Sequence, residues 1–150
     1  MTVLLPTEEV PKMELTKISK VMLWLNSGCN AKCASCDIWR ENSGQKLSLS
    51  FIQKLSFQLK DMSVKTVVIC GEPLMHDEIW EIVKVLKQRG FIVELLTNGF
   101  LLKRHAFRAV DLCDVIRVSL DGPELVHNRT RGKSHAYSLL KEGVKEIRRI

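Results

Sequence analysis

No run in the 150 residues approaches the roughly 20 apolar residues that would span a bilayer. Nor does an apolar stretch follow a basic start near the first residue, so no secretory signal is read. The expectation is a soluble cytoplasmic protein with no membrane partner, in a reducing compartment where cysteines bind metal or stay free. Aromatic residues are scarce, at 6%. Only Tyr137 falls within the basic C-terminal region of Arg129, Arg131, Lys133, Lys145, Arg148 and Arg149. Without interleaved aromatics or a nucleic-acid motif, that charge reads as a solvated helical face. Cysteines number five, an odd count that a closed set of disulfides does not use up. A structural zinc site would ask for four ligands, typically in C-x2-C pairs. Near the clustered cysteines there is no fourth Cys and no His, the next candidates being Cys70 and His76.

What is present is concentrated between Ser27 and Arg40. Cys29, Cys33 and Cys36 stand at the spacing C-x3-C-x2-C in a polar loop containing Gly28. Three thiolates on one short loop can hold three corners of a cubane iron–sulfur cluster, leaving the fourth iron without a protein ligand. Two other readings stand beside it: a chance cluster of small apolar fillers, and a zinc site completed from elsewhere.

Taken in order, residues 1–20, with Pro6 and Pro11, read as a lead-in segment. Val21–Leu25 is a continuous apolar run, expected of a strand buried on both faces. After the cysteine loop, a helix is expected from Ser48 or Ser50, with a Ser50–Gln53 capping box and an inner face of Ile52, Leu55, Leu59 and Met62. Val64–Ile69 is a β-branched strand ending in the turn Cys70-Gly71-Glu72-Pro73. A second helix is expected from about Asp77, with Ile79, Ile82, Val83 and Leu86 inward and Gly90 closing it. Phe91–Leu96 is the third strand, ending at Thr97-Asn98-Gly99, where Asn98-Gly99 is an ordinary turn dipeptide. Leu101–Leu112 is a helix with Leu102, Ala106 and Val110 aligned, and Asp114–Leu120 a strand closed by Asp121-Gly122-Pro123. Ser134 is placed to cap a last helix burying Leu140, Val144 and Ile147. Trp39 and Trp80 read as packing residues.

Four strand–helix units of one domain imply an α/β fold with a parallel sheet. In such sheets the loops at the carboxyl ends of the strands build the site.

The motifs on those loops resemble, in order, those of the radical S-adenosylmethionine (radical SAM) superfamily. They are Cys29-x3-Cys33-x2-Cys36, Gly71-Glu72-Pro73, Thr97-Asn98-Gly99, and Val118-Ser119-Leu120-Asp121-Gly122-Pro123. His127 to Arg131-Gly132 resembles the branch associated with SPASM domains. The resemblance implies a partial TIM-like (β/α) barrel of which about four βα units are present, with residues 21–150 as a truncated core domain. It implies a 4Fe–4S cluster on Cys29, Cys33 and Cys36. It also implies S-adenosylmethionine held by Gly71 and Glu72 at its ammonium, Ser119 at ribose or carboxylate, and Arg131 at the carboxylate. No further catalytic residue is assigned. The implied reaction is reductive cleavage to a 5′-deoxyadenosyl radical and hydrogen abstraction from an unknown substrate. A flavodoxin or ferredoxin would supply the electron. The alternative is a truncated, non-catalytic iron–sulfur or metal-binding remnant that needs a partner. Departures from the family pattern are Ser35 before the third cysteine, Cys70 where a glycine is usual, and four units in place of six. Cys113 has no assigned role, and an open sheet edge invites self-association.

Overall fold

The computed structural model describes residues 18–41 and 43–150. The lead-in expected over residues 1–20, with Pro6 and Pro11, lies outside the described residues up to residue 17. Strands β1 (Lys20–Trp24), β2 (Thr66–Cys70), β3 (Ile92–Thr97) and β4 (Val115–Val118) form one sheet in the order β1-β2-β3-β4. Every pairing is parallel, as the alternation of strands and helices requires. Between and after the strands run α1 (Ile38–Glu41), α2 (Leu49–Asp61), α3 (Ile79–Gln88), α4 (Leu102–Leu112), α5 (Glu124–Thr130) and α6 (Ala136–Ile147).

The core lies between the sheet and α2, α3 and α4. Val67 and Ile69 of β2 and Val93 and Leu95 of β3 turn to that side, meeting Ile52, Ile82 and Leu86, all fully buried. Each such side chain contributes about 1.5–3 kcal/mol by leaving water. Gly90 closes α3 as anticipated: its φ of +73° is the left-handed geometry that glycine adopts without a Cβ penalty.

Several boundaries differ from the sequence expectation. β1 is not buried on both faces. Val21 and Leu23 pack on the core, whereas Met22 and Trp24 are 57% and 59% exposed on the opposite side. The apolar run there serves a cavity wall and not a second core layer. In α2 the cap is Ser48, whose Oγ accepts from Phe51 N–H at 3.2 Å, so Ser50 lies inside the helix and no box with Gln53 forms. Met62 sits past the helix end and is exposed, while Ser56 is buried in the packed face. Helix α3 begins at Ile79 with Glu78 at its N-cap, and Asp77 lies before it, where its carboxylate meets Lys46 at 2.6 Å. In α4 the inward residue is Ala109 and Val110 is exposed. The N-cap of α6 is His135, without a side-chain cap, and not Ser134; β4 is shorter than its apolar run. Helices α1 and α5 carry too few apolar residues for a periodic signal, His127 alone being buried in α5. Among the described residues no helix is long and apolar enough to cross a membrane.

The cap makes a direct prediction. Ser48→Ala should lower stability by about 1 kcal/mol, whereas Ser50→Ala should change it by much less. Urea denaturation midpoints of the two variants measure the difference.

Candidate functional site

The cysteine loop leaves β1 and returns to its own base. There Ser27 N–H donates to Gln45 O at 3.0 Å, Leu47 N–H donates to Leu25 O at 3.0 Å, and Asn26 bridges Lys46 antiparallel. The loop therefore lies over the carboxyl ends of the strands. A cavity of about 240 Å³ opens beneath it, lined by Cys29, Cys33 and Cys36. Gly71, Glu72, Ser119 and Arg131 line the same cavity, so all seven residues singled out in the sequence converge on one place. Met22, Trp24 and Leu96 supply its apolar wall.

Two of the sulfurs receive N–H donors. Ala31 N–H and Asn98 Nδ2 point at Cys29 Sγ at 3.4 and 3.6 Å, and Arg131 Nη1 at Cys33 Sγ at 3.7 Å. Hydrogen bonds to ligand sulfurs are what a thiolate-bound cluster accepts. Among the described residues no three His, Cys, Asp or Glu gather closely enough for a single metal ion. A cubane places each thiolate on a different iron, so its sulfurs stand apart. The donor set fits a cluster better than zinc. His76 is spent elsewhere, with Nε2 on Leu47 O at 2.9 Å and Nδ1 accepting from Glu78 N–H.

Glu72 is 6% exposed and sits at φ +46°. Its Oε1 accepts from Thr97 Oγ1 at 2.8 Å and its Oε2 from Asn98 N–H at 2.9 Å. Burial pushes its carboxyl above the usual range, against the pull of those bonds. The Glu72 carboxylate therefore grips the end of β3. The carbonyls of Gly71 and Glu72 accept from Asn26 Nδ2 at 3.2 and 2.8 Å. Asn98, read from the sequence as a turn residue within the Thr97-Asn98-Gly99 motif, is buried and joins Glu72, Asn30 and Cys29.

The Arg131 fork, which the resemblance assigns to a carboxylate, is engaged by Asp121. Nε lies 2.7 Å from Oδ2 and Nη2 lies 2.6 Å from Oδ1. Those donors hold the Asp121 carboxyl below the usual aspartate range. Cys70 also opens on the cavity, but its thiol donates to Leu23 O at 3.4 Å and burial pushes its pKa up. Burial pushes the Cys113 thiol, at the end of α4, up to about 12. Neither is a ready thiolate. Trp80 packs in the core, while Trp39 donates its ring N–H to the Cys33 carbonyl at 3.3 Å, bracing the loop.

The chain is similar to known proteins in sequence and in fold. A family model described as the radical SAM superfamily matches residues 25–150. The chain is 24% identical to an S-adenosylmethionine-dependent nucleotide dehydratase of Fibrobacter sp., covering 87% of this chain and 44% of that protein. It is 28% identical to an AdoMet-dependent heme synthase of Methanosarcina barkeri, covering 90% and 41%. In fold it is similar to Streptococcus suis SuiB, solved with its precursor peptide SuiA. The TM-score is 0.73 at 17% identity, over 87% of this chain and 31% of that one. The chain thus spans less than half the length of the relatives it matches.

Two outcomes test this geometry. Gly132 has φ +63°, and a Cβ there would lie 2.2 Å from the Lys32 carbonyl oxygen, whereas Gly44, at φ +72°, has open space. Both alanine variants incur the left-handed backbone cost of roughly 1–2 kcal/mol. Gly132→Ala should lose visibly more in urea denaturation, because it also pushes the cysteine loop away. Asp121 has a depressed folded pKa, so its contribution is present above the unfolded value and lost as pH falls through the folded one. The stability gap between wild type and Asp121→Asn should therefore be full above about pH 4 and shrink below it. Urea denaturation across acid pH measures that gap.

Proposed function

Because the chain belongs to the radical SAM superfamily, whose members use a 4Fe–4S cluster and S-adenosylmethionine, we propose that residues 21–150 form part of a radical SAM core. In this reading Cys29, Cys33 and Cys36 carry the cluster. Gly71, Glu72 and Ser119 receive S-adenosylmethionine on the other side of the cavity, with Arg131 beside Cys33. Bound there, the cluster and S-adenosylmethionine would supply one-electron chemistry for hydrogen abstraction from a substrate.

The chain's own residues orient these groups. The Gly71 carbonyl accepts one bond from Asn26 and keeps a second lone pair for an ammonium group, whereas the Glu72 carbonyl already accepts from both Asn26 and Met75 N–H. The Glu72 carboxylate, turned to Thr97 and Asn98, holds those carbonyls in place. Met22, Trp24 and Leu96 keep one wall of the cavity apolar. Reducing equivalents come from a small electron carrier such as flavodoxin or ferredoxin. The observation that carries this reading is the single cavity shared by the three cysteines and the four further residues.

A second reading, cluster binding without turnover, is favoured by one observation. Among the described residues the sheet has four strands and does not close. Anaerobic reconstitution, reduction with dithionite, addition of S-adenosylmethionine and an assay for 5′-deoxyadenosine separate the two. The enzyme reading expects product, abolished in Cys33→Ala. A chain that holds iron and sulfide yet forms no product is a carrier, and one that takes up no cluster overturns both readings.

A further inference from the structure

Cys33 is held from a distant part of the chain. Both of its backbone neighbours bond to the segment that ends α5: Lys32 N–H donates to Arg131 O at 3.1 Å, and Ala34 N–H donates to Thr130 O at 2.9 Å. Gly132 packs directly under the Lys32 carbonyl, where no Cβ fits. The Arg131 side chain follows the same path and brings Nη1 to 3.7 Å from Cys33 Sγ.

That guanidinium cannot turn freely. Two of its nitrogens form a fork-to-fork pair with the Asp121 carboxylate, which fixes the plane and leaves Nη1 directed at the sulfur. The Arg131 side chain is 17% exposed and the Asp121 side chain 24%. Asp121 is itself backed by His127, a fully buried ring whose Nδ1 lies 3.1 Å from Oδ2 and which meets the Tyr137 ring edge-on. A line of contacts runs from α6 through α5 to the middle cysteine.

We propose that Asp121 is a positioning residue that aims the Arg131 guanidinium at Cys33 Sγ, and that this charged N–H···S contact raises the reduction potential of the cluster. The inference rests on the cluster reading of the preceding subsection. Reduction adds negative charge that spreads onto the sulfurs. A cationic donor fixed against one ligand sulfur stabilises the reduced form more than the oxidised one, so the electron is taken up more easily. An arginine serving only as a carboxylate clamp would alter cofactor affinity and leave the potential of the cofactor-free cluster untouched.

The test is a redox titration of the reconstituted cluster without S-adenosylmethionine, followed by the electron paramagnetic resonance signal of the reduced form. Iron and sulfide content are measured alongside. Arg131→Gln should load a full cluster with a more negative midpoint. Asp121→Asn discriminates more sharply. If Asp121 acted only as a nearby negative charge, neutralising it would move the midpoint positive. Positioning predicts a negative shift, and the double variant should go no lower than Arg131→Gln alone. Should Arg131→Gln fail to load iron, Arg131→Lys keeps the charge, loses the planar fork and should also shift negative. An unchanged or more positive midpoint in loaded variants overturns the inference by itself. A wild-type chain that loads no cluster overturns the cluster reading as well.

Discussion

A carboxylate with almost no access to water holds the ends of three strands together. Glu72 stands in a left-handed conformation just past β2, buried, with both oxygens bonded to the end of β3. Its backbone carbonyl, with that of Gly71, is bonded by Asn26 from the end of β1. Asn98 completes the knot by reaching back to Asn30 and Cys29. Leaving one such buried group unpaired costs about 1–3 kcal/mol, so the bonds stand or fall together. The positions of the cysteine loop, of Gly71 and of the β3 end are thus consequences of one another.

The sheet beneath this knot has two unlike faces. Toward the helices it is a continuous apolar layer. On the other face Glu94, with its side chain 8% exposed, accepts from Lys20 at 2.7 Å and from Arg117 at 2.8 Å, joining β1, β3 and β4 across β2. Both cations are about half exposed, so solvent screens the pairs and their worth to stability is modest. Their consequence is geometric: they tie the strands on the side where Met22, Trp24 and Leu96 look into the cavity. A parallel strand that is core on one side and cavity wall on the other carries apolar residues at every position. That is why Val21–Leu25 reads as buried throughout when Met22 and Trp24 are not.

The same distinction governs what could be read from the residues. The order of strands and helices was legible because α2, α3 and α4 bury a periodic apolar face. Of the seven residues singled out, the three cysteines, Gly71, Glu72 and Ser119 were legible on loops at the carboxyl ends of parallel strands, whereas Arg131, at the end of α5, was legible only through the resemblance of the motifs. Boundaries set by one side chain were not. Ser48 and Ser50 are equally good caps on paper, and only the path of the returning loop puts Ser48 at the non-helical position. Asn98 and Asp121 stood within the motifs that carry the resemblance but were given no role of their own, because their partners, Cys29 and Arg131, are brought to them by the fold. The engagement of Arg131 by Asp121 has no signature in spacing.

The replacement of a glycine by Cys70 follows the same geometry. Residue 70 is the last position of β2, paired with Trp24 in ordinary extended backbone, where a side chain is tolerated and glycine would weaken the strand by about 0.5–1 kcal/mol. Its thiol donates to Leu23 O and lies buried, filling space beside the cavity as a neutral group. Residue 71 has no such freedom. At φ +75° a Cβ would meet Trp24 Cδ1 at 2.0 Å, in a conformation that L side chains rarely adopt. Of two adjacent small positions, only the second must be glycine for Glu72 to turn inward and reach Thr97 and Asn98. A substituted strand position and a retained glycine beyond it leave the buried carboxylate, and the cavity it organises, in place.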